Sequence, residues 1–277
     1  MVNILDWGKS KNILIIAFII TNIFLIYNIE KDIFKNNSAS IVKEKNIKDV
    51  IRILEEKNIK VEAEVPTTVL ELPVLNVEYE TYDEEKLVDI FGKEKNDKIH
   101  KSVINNKIIR YENYDEKPYI QKLDKNKARR EAELFIRKYG FMTKDVIYWD
   151  TIKEADQYII MFKQNYKGSF LEQSYMNVVV NKSGVKKFER MWLKPIKEYD
   201  NKKEIIPATK ALLKCINSID TEDGEVIIKG IDLGYWFDPS HISLTNSDNI
   251  KSGTAIPAWR VILNNGQIKF IPGYENY

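Results

Sequence analysis

The chain has 277 residues with 43 Lys plus Arg against 41 Asp plus Glu, a formal charge of +2 that excludes a general affinity for nucleic acid. The first 29 residues contribute only Lys9, Lys11 and Asp6, so the remainder is balanced at 41 basic to 40 acidic residues. A hydrophobic share of 44% with 11 Gly and 8 Pro excludes a disordered chain, and the single Cys215 excludes an intrachain disulfide.

From Ile13 to Ile29 the sequence reads ILIIAFIITNIFLIYNI, seventeen residues without a formal charge. At 1.5 Å per residue this spans roughly 25 Å, slightly less than the ~30 Å hydrocarbon layer, so flanking residues complete the crossing. Trp7, Lys9 and Lys11 on one side and Tyr27 near the other have the amphipathic character of membrane-interface residues. No small-x-small cleavage site comes after the apolar run, which predicts an uncleaved signal anchor embedded in the lipid bilayer. Thr21 and Asn22 fall near mid-membrane, where an interhelical hydrogen bond recovers ~0.6 to 2 kcal/mol. Asn22, with Phe18, Ile19, Leu25 and Ile26 at helical spacing around it, therefore marks a partner-helix contact; the alternative is an amide bonded within its own helix.

The predicted organisation is a tail at 1–12, the anchor at 13–29 and a polar stalk at 30–45. An N-terminal part of the outer domain occupies 46–123, then helix-plus-sheet repeats occupy 124–203 and 204–277. Ile47, Val50, Ile51 and Leu54 recur at helical spacing, ending near Asn58, and Val61 to Val65 alternates as a strand does. Pro66 and Pro73 interrupt the next stretch, before an extended Val74 to Tyr79 and a short helix Glu84 to Phe91 stopped by Gly92. Lys107 to Tyr114 and Tyr119 to Leu123 read as strands.

Asp124 is an N-cap for a helix over Lys125 to Tyr139, with Ala128, Ala132, Phe135 and Ile136 as its apolar face and Gly140 as its stop. Strands come next at 146–152, 157–166, 174–181 and 185–193. The second copy opens on a helix from Pro207 to about Asn217, with strands near 225–237, 258–263 and 267–271. The segments VVVNKSGVKKF from 178 and RVILNNGQIKF from 260 have the Asn or Ser before Gly that tight hairpins use. The fold class is α+β: an elongated extracytoplasmic domain of repeated helix plus antiparallel sheet units behind one transmembrane helix.

No motif carries enzymatic chemistry: there is no phosphate loop, nucleophile elbow or HExxH helix, and no cofactor is expected. Only His100 and His241 are present, which excludes a histidine-rich metal site, and Cys215 lies among Ala211, Leu212, Leu213 and Ile216 as a core residue. The acidic pairs Asp83 with Glu84 and Glu222 with Asp223 fall in turn-like stretches and read as caps or solvated surface. A hydrolase built on two carboxylates has no support in local context. Tyr235, Trp236, Phe237 and Trp259 read first as packing and second as the wall of a groove.

Three stretches together resemble a known family: LDWGKSKNILIIAFIITNIFL from Leu5, GSFLEQSYMNVVVNKSG from Gly168 and PAWRVILNNG from Pro257 are similar to the YycI (WalI) family. The most specific parts are the cluster Asp6, Trp7, Lys9, Lys11 and the run Pro257, Trp259, Arg260. The resemblance implies a non-enzymatic regulator of an essential sensor histidine kinase of YycG (WalK) type that controls cell-wall metabolism in low-GC Gram-positive bacteria. It further implies transmembrane-helix contacts with that kinase, a YycH-like companion protein, a cytoplasmic N-terminus and an extracellular C-terminal domain. The alternative is an extracytoplasmic PepSY-like binding module for a peptide, a protease or a cell-wall fragment.

Overall fold

The computed structural model describes residues 44–93, 96–221, 224–237 and 251–275, together with Ile15, Ala17, Phe18, Thr21 and Asn22. Helix α1 (Glu44–Glu55) turns Val50 and Leu54 inward at the predicted spacing. Asn58 then adopts a left-handed φ of 58°, which an Asn tolerates, and the chain reverses into β1 (Ile59–Val61). Most of the strand expected over Val61 to Val65 does not form. The N–H groups of Glu62 and Ala63 both donate to the carbonyl of Ile228, at 3.0 and 3.2 Å, so alternate ladder bonds are lost.

After β2 (Glu71–Leu72) and β3 (Leu75–Tyr79) comes α2 (Glu84–Phe91), begun by Asp83 accepting from Lys86 N at 2.8 Å and ended at Gly92 with φ 82°. The hairpin of β4 (Ile99–Ile104) and β5 (Ile108–Asn113) turns on Asn105 and Asn106, both left-handed. Their Asn-Asn pair suits a primed turn, and β4 is an addition to the predicted elements. No strand forms at Tyr119 to Leu123: Pro118 cannot donate to a ladder, and Tyr119 N and Ile120 N share the carbonyl of Lys182 at 3.0 Å each.

Helix α3 (Lys125–Lys138) is capped by Asp124 and buries Ala128, Ala132 and Ile136 completely. It lies on a meander of β6 (Val146–Glu154), β7 (Gln157–Tyr166), β8 (Ser169–Asn181) and β9 (Gly184–Met191). The strand expected over 185–193 divides at Trp192, and β10 (Leu193–Glu198) departs to pair with β3. After β11 (Lys203–Glu204), α4 (Ala208–Cys215) leads to β12 (Val226–Trp236), β13 (Ser252–Leu263) and β14 (Ile268–Pro272).

Two modules result. In the first, strands run β4-β5-β9-β8-β7-β6, all antiparallel, beneath α3. In the second they run β1-β12-β13-β14 beneath α1 and α4, with β1 parallel to β12. The described chain is thus a sheet-rich α+β fold with four α-helices. One core gathers Ile136, Phe162, Met176 and Phe188; another gathers Leu54, Ile59, Leu212 and Trp259. A third, smaller cluster of Leu75, Val77, Leu171, Leu193, Tyr235 and Phe237 lies between them. Cys215 is fully buried, and burial pushes its thiol pKa up, as fits a core residue.

Phe188 is 0% exposed and sits against Phe135 and Phe141 with ring centroids 5.3 and 5.2 Å apart. Phe188→Ala should therefore lower stability by about 3 to 5 kcal/mol in urea denaturation, and a loss below ~1 kcal/mol would show that this cluster does not hold the first module.

Candidate functional site

Strand β8 belongs to both modules. Its later residues pair with β7 and β9, while Phe170, Leu171 and Glu172 run parallel to Gly234, Tyr235 and Trp236 of β12. Gly234 permits this approach: a Cβ there would lie 2.5 Å from the Phe170 ring and 2.6 Å from its carbonyl oxygen.

Alternation along β13 sends Trp259 and Val261 into the core beneath α4 and leaves Arg260 on the opposite face. Trp259 Nε1 donates to the carbonyl of Ile206 at 2.8 Å. Arg260 stands directly across from Asp232 of β12 and grips it with two hydrogen bonds, Nε to Oδ1 at 2.9 Å and Nη2 to Oδ2 at 3.0 Å. Its remaining terminal nitrogen, Nη1, donates to Glu172 Oε1 of β8 at 3.0 Å. The other oxygen of Glu172 accepts from Lys163 Nζ of β7, also at 3.0 Å. Two aromatic rings lie by the guanidinium, Phe170 at 4.1 Å and Trp149 at 4.3 Å. Trp149 is the extra residue of a bulge in β6, between the pairs Tyr148–Phe162 and Asp150–Met161.

These four charges sum to zero. The side chains of Arg260 and Glu172 are 4% and 8% exposed, so each would carry a heavy desolvation cost alone. The guanidinium meets Asp232 bidentately and Glu172 end-on, a fork geometry that suits Arg better than Lys. The quartet closes a joint between modules and leaves neither carboxylate free for acid/base work.

A second joint fastens β3 to the first module. Arg190 of β9 donates to Glu80 Oε2 at 2.6 Å and bonds the Tyr82 hydroxyl, which itself donates to Glu80 at 2.5 Å. Its guanidinium lies 4.9 Å from the Phe141 ring and 5.0 Å from Trp192, while its Nε is buried without a hydrogen-bond partner. Burial alone would raise the Glu80 pKa, but the Arg190 hydrogen bond and charge, with Tyr82, outweigh it and hold the carboxyl below its ordinary range. Nearby, Gln164 Nε2 donates to Asp145 Oδ2 and to the carbonyl of Leu193, and its Oε1 accepts from Ser174, completing a satisfied polar network.

Of the predicted partner-helix residues, Phe18, Thr21 and Asn22 are described. Phe18 is 69% exposed; Thr21 Oγ1 and Asn22 Nδ2 donate back to the carbonyls of Ala17 and Phe18, each at 2.8 Å. Ile19, Leu25 and Ile26, and the interface residues Trp7, Lys9, Lys11 and Tyr27, lie outside the described residues, as does most of the 13–29 span. Among the described residues no helix is long and apolar enough to cross a membrane. Asp83 caps α2, His100 is exposed on β4, and Glu222, Asp223 and His241 lie outside the described residues. Among those described, no three His, Cys, Asp or Glu side chains stand together as a metal site.

Sequence reasoning assigns Glu172, Asp232, Lys163 and Trp149 no role. A signal exists: Glu172 is a lone carboxylate in FLEQSYM and Arg260 a lone cation in AWRVIL, each inside an apolar strand pattern. The two stretches that carry the family resemblance, from Gly168 and from Pro257, meet at this contact.

Replacing Glu172 by Ala leaves Arg260 buried with half its partners, a change expected to cost about 3 to 5 kcal/mol by urea denaturation. Adding Arg260→Met to it should recover part of the loss, whereas additive losses would mean the charges do not couple. For Glu80, whose folded pKa is depressed, the stabilisation is present above its ordinary value of 4.5 and is lost as pH falls through the folded value. Stability measured against pH should accordingly fall on the acid side of 4.5, and Glu80→Gln should flatten that limb; an unchanged slope would refute the assignment.

No curated protein sequence matches this one. The fold is similar to the crystal structure of an uncharacterized protein from Eubacterium rectale ATCC 33656, with a TM-score of 0.50, 12% identity, and coverage of 83% of this chain and 97% of that one. The C-terminal domain of Bacillus megaterium YpeB also matches, at a TM-score of 0.37 and 12% identity over 71% of this chain and 95% of that one. The family described as YycI protein matches residues 37–274, which include both joints and all three apolar clusters. The chain therefore belongs to the YycI family, regulatory proteins of the YycG (WalK) two-component system.

Proposed function

We propose that this chain is a membrane-anchored, non-enzymatic regulator that contacts a sensor histidine kinase of YycG (WalK) type through the helix at 13–29, together with a YycH-like companion. The observation that carries the reading is the family match over residues 37–274. In this reading the N-terminus is cytoplasmic and the two modules stand outside the cell in a Gram-positive bacterium.

The helix binds one signalling state of the kinase more tightly than the other. A difference of ~1.4 kcal/mol moves such an equilibrium tenfold, so a few side-chain contacts are sufficient. Asn22 has spent one N–H on the Phe18 carbonyl, which lowers the cost of its placement in lipid. Among the described residues its carbonyl oxygen and second N–H have no partner, which suits a contact with a neighbouring helix, with Phe18 beside it. The joined modules suit the outer half of this task, because a joint of buried, matched charges transmits a displacement at one module to the other.

A specific observation favours the second reading, a PepSY-like binding module. Of the aromatic segment Tyr235 to Phe237, Tyr235 borders a half-open cavity, while Phe237 is buried in the apolar cluster.

The test compares three chains in cells: the natural one, one with its anchor exchanged for an unrelated helix, and Asn22→Leu. The kinase reading expects membrane crosslinking to the kinase to vanish with the exchanged anchor and to weaken in Asn22→Leu. Full regulatory activity with the exchanged anchor would remove the helix from the mechanism and favour the binding module.

A further inference from the structure

A cavity half open to solvent lies between the modules, with a volume of about 240 Å³. It is bordered by the turn joining β7 to β8, by β12, and by Leu72 of β2 with the adjoining Pro73. Tyr235 meets Tyr166 edge-on there, with ring centroids 5.9 Å apart and planes at 78°. Tyr235 is 4% exposed as a whole; its hydroxyl has no hydrogen-bond partner among the described residues and is the part of the side chain that solvent reaches. Burial, then the charge of nearby Glu198, pushes its pKa up, so it keeps its proton as a donor.

Other polar groups around the cavity are also available. The Tyr166 hydroxyl and Lys167 Nζ both donate to Glu198 Oε1, at 2.8 and 2.6 Å, which leaves Glu198 Oε2 as an acceptor without a described partner. Ser169 Oγ and Lys202 Nζ make no hydrogen bond or ion pair among the described residues, and Glu71 adds a second carboxylate. Lys167 and Lys202 both act on Glu198, and with Glu71 the four charged side chains of the lining sum to zero, so it favours no net charge in a ligand.

The volume equals about eight waters at ~30 Å³ each, which accommodates a single six-membered ring. A flat apolar ring would cover the Tyr235 hydroxyl without offering it a partner, a cost that discriminates against it. A zwitterion would have to compete with the ion pair that already holds Glu198. Mixed donors and acceptors beside an aromatic edge instead match a ring bearing several hydroxyls. We propose that this cavity binds a neutral, hydroxyl-rich ring the size of one sugar unit, and that occupancy ties the two modules together. The site would operate whether or not the N-terminal helix contacts a kinase.

The experiment uses the full chain in lipid nanodiscs, without sugar-headed detergent, titrated with methyl glucoside. Cyclohexanol and glycylglycine serve as ring-only and zwitterion controls. A saturable rise in Tm in the millimolar range is expected with methyl glucoside alone. Tyr235→Phe, which removes only the unpaired hydroxyl, should weaken that binding about threefold to tenfold. Tyr114→Phe, at an exposed tyrosine on another part of the surface, should bind as the natural chain does. The proposal is overturned by no saturable response to methyl glucoside, by equal binding in Tyr235→Phe with an unchanged ligand-free Tm, or by tighter binding of either control. Kinase crosslinking reads the helix independently, so failure here and failure of the kinase reading are distinguishable.

Discussion

A guanidinium that is 4% exposed must find carboxylates, and Arg260 finds two, on different strands. Asp232 is a near neighbour across the β12–β13 ladder, but Glu172 comes from the other module. Meeting both requires β8 to leave its own meander for three residues and run beside β12. That in turn requires Gly234, because any side chain there would collide with Phe170. Lys163 and the bulged Trp149 complete the surroundings, so β6, β7, β8, β12 and β13 are all positioned around one cation.

Buried ion clusters are weak contributors to stability, since apolar replacements of similar shape often do as well. Their effect is on geometry: a half-satisfied cluster is far worse than a complete one, so the two modules are held to the arrangement that satisfies all four charges. The Arg190, Glu80 and Tyr82 contact repeats the device where β3 meets the first module. The apolar cluster of Leu75, Val77, Leu171 and Leu193 fills the space between. This construction joins the two modules of the described domain at two polar contacts with an apolar cluster beside them.

Local chemistry is legible wherever it is self-contained. Helices α2 and α3 come from Asp83 and Asp124 as caps and from Gly92 and Gly140 as stops, and α1 from apolar residues three and four apart. The β8–β9 and β13–β14 hairpins come from their Asn, Ser and Gly turns. Legibility fails where a neighbour decides the outcome. Glu62 and Ala63 end β1 early because both reach for the Ile228 carbonyl, and Tyr119 is drawn to Lys182 instead of a ladder. The start of β10 reads as a continuation of β9, because nothing local marks Trp192 as the point where the chain changes partners.

The sequence by itself determined the α+β class, the helix caps, the hairpin turns, the burial of Cys215 and the family, because each rests on residues adjacent in the chain or one helical turn apart. Only the tertiary structure decided that the stretches from Gly168 and from Pro257 touch, and that β1 joins the second module's sheet while α1 packs into its core. Contacts such as Glu172 with Arg260, 88 residues apart, obey no period or spacing. They are selected by the free energy of burying matched charges, which depends on where the strands lie in space.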